Sequence, residues 1–142
     1  MKILVINGPN INFLGIREKG IYGTESYETL VRNLEEKGKA EGHEVEVFQS
    51  NYEGGIIDRI QAAYSDGTAI IINPGAFTHY SYAVRDALAS IELPKIEVHI
   101  SNVHKREEFR HVSVTAPVCT GQVVGLGLKG YELAMDYLTG NL

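Results

Sequence analysis

The chain has 142 residues, a length that suits one domain with a full hydrophobic core. Its formal net charge is −5, which argues against a surface built to bind nucleic acid or anionic membranes. A single cysteine excludes an internal disulfide framework, and no Cys/His cluster has the spacing of a metal site. The N-terminus does not resemble a signal peptide, and no apolar run approaches the roughly 20 residues of a membrane span. We therefore expect a cytoplasmic protein.

The first quarter of the chain predicts a buried strand, a loop and a helix. The apolar run Lys2–Asn7 predicts the strand, which the turn residues after it end. The glycine-containing stretch that follows has no clear period, so we expect a mobile lid at about residues 15–24. Either Thr24 or Ser26 can cap the next helix, and Gly42 ends that helix.

The rest of the chain continues to alternate strands with helices. In order, the pattern predicts a strand at Glu44–Gln49, a helix from Gly55 to about Asp66, a strand at Thr68–Asn73, a helix from Tyr82 to about Ile91, a strand at Ile96–Asn102, a short helical turn at 107–109, a strand at Val123–Leu128 and a helix at Gly130–Leu138. This alternation implies a parallel sheet covered on both faces. Five strands in one domain over residues 1–142 predict the α/β flavodoxin-like doubly wound fold, with strand order 2-1-3-4-5.

The predicted strand at Ile96–Asn102 has one apolar face and one polar face. Glu97, His99 and Ser101 share the polar face, where a carboxylate, an imidazole and a hydroxyl cost stability unless they are paired. One interpretation is a half-exposed edge strand whose polar residues face water. The other is a functional face, and the Glu-x-His spacing favours it because a carboxylate there can tune the imidazole.

Ligands of a doubly wound sheet bind beyond the carboxyl ends of its strands, beside the first and third strands. The segments at those ends are polar: Asn7–Asn12, Asn73–His79 and His99–Asn102. The turn after the first strand has no GxGxxG or GxxxxGK[ST] pattern, the chain has no GxSxG pattern, and no lysine lies at the end of a predicted apolar strand. Dinucleotide, P-loop, serine-nucleophile and Schiff-base chemistry are therefore disfavoured, which leaves acid–base chemistry on a polar anionic substrate.

Several side chains fit such chemistry, and each also has a purely structural interpretation. His99 suits a general acid supported by Glu97, or it is a hydrogen-bonded structural histidine. Ser101 could bind a carboxylate or cap the strand. Arg106 and Arg110 could bind a polar substrate, or they belong to a solvated surface run.

Three further candidates precede that strand in the chain. His79 could bind a hydroxyl or merely begin a helix. Tyr22 lies in the loop with Arg17 and either packs there or acts as a base. A basic role needs cations that stabilise the phenolate in a closed, water-poor site, and Arg17 and Arg106 are the candidates.

Several segments together match one known family, in order and over nearly the whole chain. They are Asn7–Gly15, Arg17, Tyr22-Gly23, Asn73–His79, Arg85–Leu88, Ile96–Asn102, Glu107–Arg110, Gly125–Gly127 and Gly130-Tyr131. Each segment is modestly specific, but the combination is highly specific. In these residues the chain resembles type II 3-dehydroquinate dehydratase.

The resemblance implies a lyase reaction: trans dehydration of 3-dehydroquinate to 3-dehydroshikimate through an enolate, in the shikimate pathway of aromatic amino acid biosynthesis. It makes Tyr22 the base that removes the C2 proton, with Arg17 and Arg106 beside it. It makes Asn10 the residue that holds a water against the enolate oxygen.

The same resemblance assigns the acid and the binding positions. His99 would protonate the departing C1 hydroxyl, with Glu97 behind it. The implied binding positions are Asn73, His79, the Ile100 backbone, Ser101, Arg106, Arg110 and, from a neighbouring subunit, Asp86. The family also implies a homododecamer, a tetramer of trimers, that uses no metal or organic cofactor.

Two positions depart from the family's pattern, because Phe77 replaces a common tyrosine and Tyr80 replaces a small hydroxyl residue beside His79. Three alternatives to the dehydratase stand beside it. They are a non-catalytic flavodoxin-like module that binds FMN or another anion, a scaffold subunit without catalysis, and a different lyase acting on a related cyclic hydroxy acid.

Overall fold

The computed structural model describes residues 1–141 and contains a five-stranded parallel sheet between two layers of helices. The strands are β1 (Lys2–Asn7), β2 (Glu44–Gln49), β3 (Ala69–Asn73), β4 (Lys95–His99) and β5 (Gly121–Val124). The helices are α1 (Lys19–Tyr22), α2 (Tyr27–Ala40), α3 (Glu53–Ala62), α4 (Tyr82–Ala89) and α5 (Lys129–Thr139). The strand order β2-β1-β3-β4-β5 confirms the predicted flavodoxin-like fold. Within residues 1–141, none of the helices has the length and apolarity that crossing a bilayer requires.

Each face of the sheet has its own apolar cluster, as alternating side chains along buried strands dictate. On one face, Val5 of β1 belongs to a cluster with residues of α2 and α5, among them the fully buried Tyr131. On the other face, Ile6 belongs to a cluster with residues of α3 and α4, among them Leu88. Both faces of the sheet are therefore covered by apolar packing up to the strand ends where the polar segments begin.

Most differences from the predicted elements lie at their ends. Ser26, rather than Thr24, caps α2, because its Oγ accepts the backbone N–H of Thr29 at 3.1 Å. The stretch predicted as an irregular loop contains α1, a single helical turn that leaves no periodic pattern in the sequence. Strand β5 begins and ends earlier than predicted, because the chain turns at Gly125, where φ is +85°.

Strand β4 is an interior strand, so its interpretation as a half-exposed edge was wrong. It lies between β3 and β5, and all five of its residues are buried. It ends at His99 instead of Asn102, since its partner β5 ends at Val124, which pairs with His99. Ser101 therefore lies in the turn after the strand rather than on its polar face.

Candidate active site

One cavity beyond the carboxyl ends of β1, β3 and β4 brings most of the predicted residues together. The predicted residues that line it are Asn10, Arg17, Tyr22, Asn73, His79, His99, Ile100, Ser101, Arg106 and Arg110. Glu97 lies directly behind His99, and Asp86 is exposed on α4 outside the cavity. The sequence did not single out Val103, which adds apolar surface to the cavity wall together with Ala76 of the segment Asn73–His79. Among residues 1–141, no group of three or more His, Cys, Asp or Glu side chains is placed to hold a metal ion.

Tyr22 lies at the end of α1 and points its hydroxyl at Arg106. Arg106 Nη1 donates a hydrogen bond to the Tyr22 hydroxyl oxygen at 2.6 Å. The guanidinium carbon of Arg17 lies 4.3 Å from the centroid of the tyrosine ring. One arginine therefore donates to the phenol oxygen, and a second cation lies over the face of the ring.

Arg106 also reaches the opposite side of the cavity. Its Nη1 lies 3.2 Å from Ser101 Oγ, and its buried Nε has no partner among the described atoms. Glu18 draws both arginines together, because its Oε2 lies 3.1 Å from Arg17 Nη1 and 3.9 Å from Arg106 Nη2. No sequence pattern pointed to Glu18, whose carboxylate holds the two cations beside Tyr22.

His99 and Glu97 form a buried pair on β4. Glu97 is fully buried, and its Oε2 lies 2.9 Å from His99 Nε2. Burial raises the pKa of Glu97, but the hydrogen bonds from His99 and from neighbouring hydroxyls outweigh it and hold the pKa below the usual range. Glu97 is therefore a carboxylate at neutral pH and stabilises positive charge on the imidazole.

The Glu97 carboxylate is surrounded by donors from other elements, which we call the Glu97 cage. Its members are Thr78, Ser113, Thr115 and Gln122, and each places a donor atom within hydrogen-bond distance of a Glu97 oxygen. The cage satisfies a charge that would otherwise be costly to bury. The sequence offered little to identify it, because its members lie in irregular segments and on an edge strand.

Asn73 is held by a hydrogen-bond chain that crosses the end of the sheet. Its Oδ1 accepts the backbone N–H of Gly75 at 3.1 Å, and its Nδ2 donates to the Tyr131 hydroxyl at 2.9 Å. Tyr131 in turn donates to Asn7 Oδ1 at 2.7 Å. Burial raises the pKa of Tyr131, so its phenol stays neutral and fixes the orientation of the Asn73 amide. The sequence identified Tyr131 only as an apolar position of the closing helix and as part of the resemblance.

Asn10 projects from a strained turn after β1. Its φ is +69°, a left-handed conformation that asparagine tolerates better than most residues. Its backbone N–H donates to Asn51 Oδ1 at 3.0 Å. Gln49, at the end of β2, donates to the same Asn51 oxygen at 3.1 Å and to the Gly8 carbonyl at 3.1 Å. Gln49 of β2 therefore holds Asn51, and Asn51 in turn holds the backbone of Asn10.

His79 and Arg110 lie together on the remaining wall. His79 Nδ1 donates to the Val112 carbonyl at 2.8 Å, because a carbonyl oxygen can only accept. Burial is the main cause that lowers the pKa of His79 below its usual value, so Nε2 is an acceptor at neutral pH. Arg110 pairs with Glu107 through a 2.5 Å contact from Nε, which leaves its terminal nitrogens for a ligand.

The two departures from the family pattern lie outside the cavity. Phe77 and Tyr80 contact each other edge to face, with ring centroids 5.9 Å apart, and neither lines the cavity wall. Tyr80 is 59% exposed. The bulk of Tyr80 therefore leaves the shape of the cavity unchanged within this chain.

Comparison with known proteins agrees with the fold. A family model described as "Dehydroquinase class II" matches residues 1–139. The chain is 80% identical over 137 residues to a 3-dehydroquinate dehydratase of Lachnoclostridium phytofermentans, covering 96% of this chain and 94% of the relative. A 3-dehydroquinate dehydratase of Lachnospira eligens is 73% identical over 138 residues, with coverage of 96% and 94%. The crystal structure of a type II dehydroquinase from Butyrivibrio crossotus superposes with a TM-score of 0.96 at 68% identity, covering 98% of this chain and 97% of the other.

Proposed function

The chain belongs to the class II dehydroquinase family, and we propose on that premise how its own residues divide the dehydration of 3-dehydroquinate. The reaction is that of a hydro-lyase in the shikimate pathway. One observation carries the proposal: a single guanidinium, that of Arg106, joins Tyr22 to Ser101 in the cavity that also holds His99.

The first step is removal of the C2 proton by the Tyr22 phenolate. Arg106 and Arg17 support this role, because their positive charges stabilise the phenolate before it takes the proton. The electron pair of the C2–H bond moves onto the ketone and forms an enolate. Asn10 holds a water that donates a hydrogen bond to the enolate oxygen, a role that its position on the cavity wall supports.

The second step is loss of the C1 hydroxyl with a proton from His99. The enolate pair returns to form the C1–C2 double bond, the C1–O bond breaks, and the hydroxyl leaves as water. The buried Glu97 carboxylate supports this step, because it stabilises the imidazolium that gives the proton. The cycle closes when Tyr22 loses its proton and His99 regains one.

The remaining cavity residues bind the substrate. Ser101 and the Ile100 backbone receive the carboxylate beside Arg106, which supplies the positive charge that such a group needs. His79 and Arg110 contact the ring hydroxyls, and Asn73 presents its fixed amide.

The lid, the assembly and the location complete the proposal. Residues 15–24 act as the lid over the cavity; Gly15 and Gly23 support this role, since both have positive φ and flank α1. Asp86 reaches the cavity of a neighbouring subunit in a homododecamer built as a tetramer of trimers, and its exposed position on α4 is compatible with that role. We place the enzyme in the cytoplasm, and the chemistry above needs no metal or organic cofactor.

The test is a continuous ultraviolet assay, since the product is a conjugated enone and the substrate is not. Wild-type protein should convert 3-dehydroquinate, and Tyr22→Phe should lower kcat at least about 100-fold while substrate still binds. Tyr64→Phe is the matched control, because Tyr64 is 76% exposed and does not line the cavity. Turnover by Tyr22→Phe close to the wild-type rate would remove Tyr22 as the base.

A further inference from the structure

Gln122 is the one amide in the Glu97 cage and comes from the edge strand β5. It lies directly opposite Glu97 in the parallel ladder of β4 and β5, so the two side chains project from the same face of the sheet. Its Nε2 donates to Glu97 Oε2 at 2.6 Å, the oxygen that also contacts His99. Gln122 does not line the cavity that holds the proposed catalytic residues.

We propose that Gln122 is a positioning residue that keeps Glu97 ionised and aimed at His99. This inference rests on the proposed function, because it assigns a support for the acid pair of that reaction. Gln122 acts only through Glu97, and it touches neither the substrate nor the reacting atoms.

The three hydroxyls of the cage also donate to Glu97, but each can turn its single proton toward a neighbouring hydroxyl instead. Thr78 Oγ1 lies 2.6 Å from Ser113 Oγ and 2.8 Å from Thr115 Oγ1, while each hydroxyl also contacts Glu97. A hydroxyl carries one proton and rotates freely, so a hydroxyl that donates to a neighbouring hydroxyl no longer donates to the carboxylate.

The amide nitrogen of Gln122 differs from the hydroxyls in this respect. Its Nε2 carries only protons and can never accept, so a proton on Glu97 Oε2 would face an N–H group at 2.6 Å. The contact therefore opposes protonation of that oxygen and stabilises the carboxylate through a charge-assisted hydrogen bond. Without it, Glu97 would compete with His99 for their shared proton, and the neutral imidazole that results is a weaker acid.

Few other titratable groups face Glu97. They are His99 on the same strand, His79 from the segment after β3 and Cys119 from the segment before β5. The Cys119 thiol is neutral at working pH, because burial raises its pKa to about 12. Within the part of the chain that the structure describes, the two histidines and the hydrogen-bond donors therefore set the charge of Glu97.

The decisive variants are Gln122→Met, which keeps the length and removes the donor, and Gln122→Glu, which replaces the donor with a second carboxylate. In Gln122→Met we expect kcat to fall about tenfold with KM within about twofold of wild type. The pH at which Glu97 protonates should rise by about one unit in Gln122→Met and by more in Gln122→Glu. Infrared difference spectra over a pH series measure it, with the Glu97 band assigned by its absence from Glu97→Gln.

Gln61→Met is the control for the substitution itself, because Gln61 is exposed on α3 and far from the site. A merely structural Gln122 would lower kcat without moving the Glu97 titration. An unmoved titration in both variants, or wild-type kcat in Gln122→Met, would overturn the inference. Wild-type protein without dehydratase activity would instead overturn the proposed function, whatever the infrared result.

Discussion

Arg106 contacts the proposed base and the proposed carboxylate site through the same nitrogen, whereas Arg17 contacts Tyr22 only over the face of its ring. Nη1 of Arg106 lies 2.6 Å from the Tyr22 hydroxyl and 3.2 Å from Ser101 Oγ. The proposed lid and the proposed carboxylate site therefore share one cation. The sequence analysis did not distinguish the two arginines, but in the structure they approach Tyr22 in different ways.

The unequal contacts predict unequal losses of activity. Arg106→Ala should lower kcat about 100- to 1000-fold, since it removes a donor aimed at the reacting oxygen, and it should also raise KM. Arg17→Ala should lower kcat by a smaller factor, about tenfold, because a cation over a ring face interacts more weakly. Steady-state kinetics measure both, with Arg32→Ala on the exposed side of α2 as the control. Equal losses in kcat would contradict this ranking.

At the scale of elements, periodic patterns in the sequence predicted the strands and most helices, but not the residues that support the site residues through hydrogen bonds. The strands and the helices α2 to α5 have regular spacing of apolar residues, so the sequence located them within a few residues. Helix α1 is too short for a helical repeat of apolar residues to appear in the sequence. The edge interpretation of β4 was wrong because what covers its polar face is the irregular segment 102–120 together with β5, and neither has a pattern that predicts a contact.

The supports are also distant in sequence, which explains why local reasoning missed them. Tyr131 contacts Asn7 across 124 positions, and Gln122 contacts Glu97 across 25. Such pairs can be predicted only once the strand order is known. By contrast, the proposed catalytic residues were identified because each lies in a short family pattern at the end of a strand or in the lid.

Helix α5 should therefore contribute to stability and to activity through one hydroxyl. Tyr131→Phe leaves Asn7 Oδ1 and Asn73 Nδ2 buried without that partner, and we expect the free energy of unfolding to fall by about 1–3 kcal/mol. The kcat should also fall, since the Asn73 amide then keeps only its hydrogen bond from the Gly75 N–H. Urea denaturation and the dehydratase assay measure these effects. Tyr137→Phe, exposed on the same helix, is the control, and an unchanged unfolding free energy in Tyr131→Phe would refute the role of the hydroxyl.

At the scale of the whole molecule, the charge of the cavity opposes the charge of the chain. The net charge is −5, yet Arg17, Arg106 and Arg110 all line the proposed site. An anionic substrate is therefore attracted only at short range, because at physiological salt the Debye length is about 8 Å. The proposed neighbouring subunit would bring the negative charge of Asp86 to the same site.

Shared active sites predict complementation between two inactive proteins. If Asp86 acts in a neighbouring subunit, Asp86→Ala and Tyr22→Phe should each be impaired alone. Mixed assemblies, made by refolding the two variants together, should regain activity, because some sites then combine an intact Tyr22 with an intact Asp86. The assay compares the mixture with each variant refolded separately, and light scattering gives the assembly mass. A mixture no more active than the sum of its parts, or a monomeric mass, would place Asp86 outside the site.

The position of the acid pair on an interior strand also limits how such an enzyme can diverge over evolutionary time. Glu97 and His99 are spaced by the pleat of β4, and a single inserted or deleted residue would exchange the polar row for the apolar one. Insertions and deletions in the segments 15–24 and 102–120 would leave that spacing unchanged. New substrate preferences should therefore arise by insertion and deletion in those two segments, while β4 changes only by substitution.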